Sequence, residues 1–138
     1  MSIKSITALY YAAAAATAIA GILHLITGPP ILKFNANIGI FFIVAGIIQI
    51  FWALPMVRRW GIVPWYSVGI VGTIALMILY AYTRLPGNPF FVRGASINAN
   101  GIAIELLQAA YIGLTAAIII YESKRRNKIK ENTVKDTA

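Results

Sequence analysis

The sequence has no cysteine among its 138 residues, one histidine and four acidic residues. The absence of cysteine excludes disulfides, thiolate metal sites and cysteine nucleophiles, and it leaves the redox compartment open. A transition-metal site usually needs three or four N, S or O donors. His24 is the lone imidazole, and the three methionines are not spaced like ligands. No metal site and no cofactor is expected. No serine elbow, phosphate-binding glycine loop or paired-carboxylate arrangement is visible, so no catalytic residue is assigned. Charge is scarce as well, at 12% of residues, where a soluble domain carries about 25%. The polar shell that would cover a soluble core is missing.

What is present is hydrocarbon in long runs. The residues are 59% hydrophobic. Crossing about 30 Å of bilayer takes about 20 helical residues. The stretches 6–26, 38–57, 65–83 and 101–121 each meet that length, and Glu105 is the only charged residue inside one of them. The pattern predicts an all-α fold: a polytopic membrane protein built as a compact antiparallel bundle of four transmembrane helices. Residues 1–121 form that domain and 122–138 form a basic tail, expected to fray as a helix after Asn127. Gly28-Pro29-Pro30 is expected to stop the first helix, because proline lacks a backbone donor and restricts the residue before it. Arg58-Arg59-Trp60-Gly61 separates the second from the third, and Pro86-Gly87-Asn88-Pro89 ends the third. Ala18-Ile19-Ala20 before Gly21 resembles a signal-peptide cleavage site. The single Lys4 ahead of it and the apolar run beyond it favour a retained span.

Basic residues set orientation. With the amino terminus in the cytoplasm, Lys4, Arg58, Arg59 and six tail residues lie inside, and Lys33, Arg84 and Arg93 lie outside. Nine against three places both termini in the cytoplasm of a multi-pass plasma-membrane protein. The net charge of +8 comes from these flanking residues, so nucleic acid is not an expected partner. The expected partners are the lipid bilayer and other membrane subunits or further copies of the chain.

Membrane helices associate through small residues and polar contacts. Expected contact stripes are Ala13, Thr17, Gly21, His24 and Gly28; then Gly39, Phe42, Gly46, Gln49 and Ala53; then Gly69, Gly72 and Thr73; then Gly101, Glu105, Gln108, Ala109, Gly113 and Ala116. Placed in depth, His24, Arg84 and Glu105 share one level near the outer face, with Arg93 just above. Ionisable groups in a membrane are costly and often functional. A Glu105–Arg84 ion pair is expected, with His24 donating to a carbonyl or to that carboxylate. Gln49 and Gln108 are expected to make interhelical polar contacts.

The motifs Gly21-Ile22-Leu23-His24, Thr83-Arg84-Leu85-Pro86-Gly87 and Ile102-Ala103-Ile104-Glu105 carry a likeness. The chain resembles a group of uncharacterised small four-helix integral membrane proteins of bacteria and archaea. That group has a histidine late in the first helix, an arginine before a Leu-Pro turn after the third, and a glutamate early in the fourth. Through residues 39–42, Gln49-Ile50-Phe51-Trp52 and Pro86-Gly87-Asn88-Pro89 it is most similar to members from ammonia-oxidising archaea. Its turn after Arg84 is more compact than the bacterial form. The resemblance implies an accessory subunit of a membrane complex such as the copper-dependent ammonia monooxygenase.

The leading expectation is a non-catalytic structural or accessory membrane subunit. One alternative is a small-molecule, quinone or lipid site at the outer face, built on His24, Arg84 and Glu105. Another is a small transporter acting as an oligomer. A membrane-impermeant label applied to intact cells is expected to spare the basic carboxyl-terminal tail; labelling of the tail from outside contradicts the orientation.

Overall fold

A helix satisfies its own backbone donors and acceptors, which an apolar surrounding cannot do for it. The four charge-poor runs become four helices in the computed structural model, which describes residues 3–60, 63–90 and 94–137. They are α1 (Ile3–Leu32), α2 (Ala36–Val57), α3 (Val63–Arg84) and α4 (Ala99–Thr137). Each is long and apolar enough to cross a membrane, the pattern of a multi-pass membrane protein.

Two expected boundaries are corrected. Helix α1 does not stop at Gly28-Pro29-Pro30; it runs through both prolines to Leu32. Proline has a helical φ and loses only the bond its own N–H would make. The cost here is confined to the carbonyls of Leu25 and Ile26, about two turns from the end. The chain then leaves the helix where the amides of Phe34 and Asn35 both close on the Ile31 carbonyl, at 2.9 and 2.8 Å. Helix α4 does not fray after Asn127; it continues to Thr137. No glycine or proline follows Gly113, and charges at helical spacing pair along the tail. Lys135 Nζ meets Glu131 at 2.8 Å, and Arg125 meets Glu122 at 3.9 Å. Such exposed pairs add only about 0.2–0.5 kcal/mol each, but nothing in this segment opposes the helix.

Helix α2 ends in a Schellman turn. Arg59 N–H donates to Met56 O, Trp60 N–H donates to Pro55 O, and Arg59 takes φ +47°. That left-handed position favours glycine. Arg59 is tied there by its side chain: its Nη2 donates to Thr7 Oγ1 at 2.7 Å, and its guanidinium lies 5.5 Å from the Tyr10 ring centre.

Helix α1 packs against both α2 and α4. Against α2 the backbones nearly touch. A Cβ at Gly21 would lie 2.7 Å from the Gly46 carbonyl, a Cβ at Gly46 would lie 2.7 Å from the Gly21 carbonyl, and Gly28 faces the Gly39 carbonyl. Thr17 Oγ1 adds a bond to Gln49 O at 3.1 Å. Against α4 the seam is bulkier: Tyr10, Ala13 and Ala14 of α1 share a buried cluster with Tyr111 and Ile118, and Tyr10 Oη donates to Glu122 at 3.3 Å.

The buried face of α4 reads Gly101, Ile104, Gln108, Tyr111, Thr115 and Ile118, a repeat of three and four that suits an antiparallel pair. The expected small-residue stripe on α4 is therefore corrected in part: Ala109 and Gly113 face outward, because large side chains fill this seam.

Helix α3 packs on α4 and scarcely touches α2. Its meeting point with α2 is local. Trp52 Nε1 donates to Trp65 O at 3.3 Å, the two indoles lie 5.8 Å apart, and Gly69 admits both Trp52 Nε1 and the Tyr111 hydroxyl against its backbone. From there α2 and α3 diverge toward the end of the bundle that carries the α1–α2 and α3–α4 connections, termed the cavity end below. The opposite end carries the α2–α3 connection.

Gly46→Ala is expected to force α1 and α2 apart and to cost about 1–3 kcal/mol, the usual range for overpacking a close contact. Gly113→Ala, where a Cβ meets nothing within 4 Å, is expected to be neutral or to stabilise by up to about 1 kcal/mol. Unfolding of both variants in detergent checks the contrast.

Candidate ligand-binding site

Because α2 follows α1 while α3 follows α4, the cavity end holds a space of about 650 Å³ bounded by all four helices and the α3–α4 connection. Small-molecule sites usually span roughly 300–1,000 Å³. The walls are mostly apolar, with Phe41, Phe42, Leu76, Leu79 and Ile104 among them; polar groups gather at the mouth and the floor.

The mouth is shaped by asparagines that fix helix starts. Asn35 Oδ1 accepts from Ile38 N–H at 3.2 Å, and Asn98 Oδ1 accepts from Gly101 N–H at 2.8 Å. Each satisfies an orphan amide at a helix N-terminus, and each side chain borders the cavity. The connection after α3 folds back through Asn88, which is 5% exposed. Its Nδ2 donates to the carbonyls of Thr83 and Leu85 at 3.1 and 2.6 Å, and its Oδ1 accepts from Phe90 N–H at 2.9 Å. Ala95 N–H closes the loop on Thr83 O at 2.8 Å. This turn lays Phe90 over the cavity.

Of the residues singled out by sequence, His24, Arg84, Glu105 and Gln108 border this one cavity, and Gln49 borders a smaller neighbouring space. Arg93 lies outside the described residues, as does Phe91. His24 is buried; its Nδ1 donates to Ala20 O at 2.9 Å, and its ring lies tilted against Phe42 with centres 5.2 Å apart. A carbonyl only accepts, so Nδ1 carries the hydrogen.

The Glu105–Arg84 ion pair expected from sequence does not form: among the described residues the ion pairs are those of the α4 tail. Arg84 instead folds back along its own helix. Its guanidinium lies 3.8 Å from the Tyr80 ring centre, and Nη1 donates to Thr83 Oγ1 at 2.9 Å. A cation over an aromatic face is worth about 0.5–2 kcal/mol, and the i, i+4 spacing from Tyr80 makes it available without crossing to α4. Glu105 is left half-buried on the cavity wall, facing the same space as Arg84.

The floor carries the least settled groups. Gln108 is 1% exposed, and neither amide atom has a hydrogen-bond partner. Gln49, 4% exposed, lies beside the His24 ring. Tyr80 Oη and Arg84 Nε are also buried without partners. Leaving a buried polar group unsatisfied costs about 1–3 kcal/mol, so such groups in one cavity point to an occupant that satisfies them.

Sequence reading missed Tyr80 and Phe90 as parts of this site; Asn98 was expected just above His24, Arg84 and Glu105. The Tyr80–Arg84 spacing of four was the available signal; the return of Phe90 depends on the Asn88 turn and left none. Comparison with protein-family models, with curated proteins and with solved structures finds no match to this chain.

Gly94→Ala tests the loop's role. Gly94 takes φ +75°, and a Cβ there would collide with the Arg84 carbonyl. The substitution is expected to cost about 1–3 kcal/mol and to open residues 85–98 to limited proteolysis, while a Gly87→Ala change, with the same sign of φ and open space around it, leaves the loop closed.

Proposed function

We propose that this is a non-catalytic membrane protein that binds a small amphipathic molecule in the cavity between its four helices. By the bias of basic residues, the cavity faces the outer side of the plasma membrane. The observation that carries this reading is Gln108: a fully buried amide, unpartnered at both atoms, on the floor of an apolar-walled cavity of about 650 Å³. Arg84, Glu105 and the mouth asparagines supply polar contacts for the other end of such a molecule. A subunit that only fills space beside its neighbours gains nothing from a buried orphan amide, and this weighs for a ligand over a purely packing role.

Gln108→Leu separates the two. Removing an unsatisfied buried amide relieves a penalty of about 1–3 kcal/mol. The variant is therefore expected to unfold at the same or a higher temperature than the parent, and to have lost a small molecule that the parent retains through purification in mild detergent. Solvent extraction and mass spectrometry of both proteins read the retained molecule. A parent protein that carries none, or a Gln108→Leu protein that keeps it, contradicts the proposal.

A further inference from the structure

The cavity does not stand alone. Phe41 and Leu76 border both it and a second space of about 260 Å³ between α2 and α3. This groove is walled by apolar residues such as Val44, Ile48 and Val68, with Gly72 open along one side. It closes at the Trp52–Trp65 contact, where Gly69 lets the two helices meet. From Leu76 to Gly69 is two turns, about 10 Å. Because α2 and α3 scarcely touch above that contact, the groove is open sideways, toward the hydrocarbon that surrounds the helices.

We infer that the cavity and groove together form one site for a membrane lipid with an uncharged, hydrogen-bonding head and a hydrocarbon chain, and that the lipid enters sideways between α2 and α3. This rests on the ligand-binding reading above and adds the class of ligand and its route. Three observations carry it. First, the two spaces adjoin across Phe41 and Leu76, and their order from the cavity end is polar mouth, Gln108 floor, mostly apolar groove: the order of groups along a single-chain lipid. Second, the buried amide of Gln108 lines the cavity and lacks a partner at both atoms, where a head or linkage oxygen would reach it. An amide donates and accepts, which fits a hydroxyl or an ester carbonyl. Third, among the described residues the charged groups on the cavity wall are one cation and one carboxylate, Arg84 and Glu105. Their opposite charges favour neither an anionic nor a cationic head, while the remaining polar side chains of the described lining are amide, hydroxyl and the His24 imidazole.

The test uses a monoglyceride whose chain carries two bromine atoms, which quench indole fluorescence on contact. Trp52 borders the groove, so the protein used keeps Trp52 and carries Trp60→Phe and Trp65→Phe. Saturable quenching of Trp52 is expected, reversed by unbrominated monoglyceride and not by glycerol. Gly72→Leu fills the groove from a position where an added Cβ meets nothing within 4 Å. It is expected to fold and to weaken quenching by about tenfold or more, as loss of a few buried methylenes would. Gln108→Leu is expected to weaken it as well. A brominated fatty acid at high pH, with the same chain and an anionic head, is expected to bind more weakly than the monoglyceride.

Quenching unchanged by Gly72→Leu overturns the groove as the seat of the chain, and equal or tighter binding of the anionic probe overturns the uncharged head. If in either case the parent protein still carries a small molecule that Gln108→Leu loses, the cavity stands as a binding site and only the lipid assignment falls. If neither the probe nor any native molecule binds, both fall.

Discussion

The close approach of α1 and α2 is the constraint from which the rest of the molecule follows. Gly21 and Gly46 present bare backbone to each other at a distance no Cβ permits, and Gly28 and Gly39 repeat the contact two turns further along. In an apolar solvent there is little hydrophobic gain from bringing two helices together, so packing distance and polar contacts decide which pairs form. The glycines commit α2 to α1 along most of its length. Helix α3, joined to α2 by a short connection, can then meet α2 at one end only. The wedge that remains between α2 and α3 is a consequence of that commitment, and the cavity is its wide end.

The polar residues divide as well. Some polar side chains are absorbed locally: Thr17 bonds the Gln49 carbonyl, and Thr73 bonds the Gly69 carbonyl within its own helix at 2.8 Å. Others are not. Tyr111 Oη and Thr115 Oγ1 are unsatisfied within the packed α4 face, and Gln108, Tyr80 Oη and Arg84 Nε are buried and unsatisfied beside the cavity. Retaining a glutamine such as Gln108 in that position is costly in a medium that offers hydrogen bonds to nothing. A ligand with oxygen atoms at that depth gives it a reason to be there.

Much of the fold was legible in the sequence, because the signals were simple. Four runs of the right length, interrupted by arginine, proline and glycine, gave the helices. The glycines of α1 and α2 gave their contact face. The errors came where local chemistry competes with a broad rule. Two prolines near a helix end cost two bonds and do not terminate it, and the basic tail has a helical pattern strong enough to persist without packing. On α4 the small residues face away, because Tyr111 and Ile118 fill the seam with α1. His24, Arg84 and Glu105 were visible as polar residues at a shared depth, with Gln108 below them. That Arg84 would turn to Tyr80 and leave Glu105 facing open space depends on side-chain geometry that spacing alone does not fix. The cavity itself was illegible, since it is the absence of a contact between α2 and α3.

That divergence is directly measurable. The chain has no cysteine, so pairs of introduced cysteines can carry spin labels without background. Distances between α2 and α3 are measured by pulsed electron resonance in lipid, once near the cavity end at Ile40 and Ile78 and once near Trp52 at Phe51 and Val68; all four side chains are exposed. The account expects a clearly longer separation, relative to straight parallel packing, for the cavity-end pair. Equal separations at both levels would mean that α2 and α3 pack along their whole length, and the wedge on which the site depends would not exist.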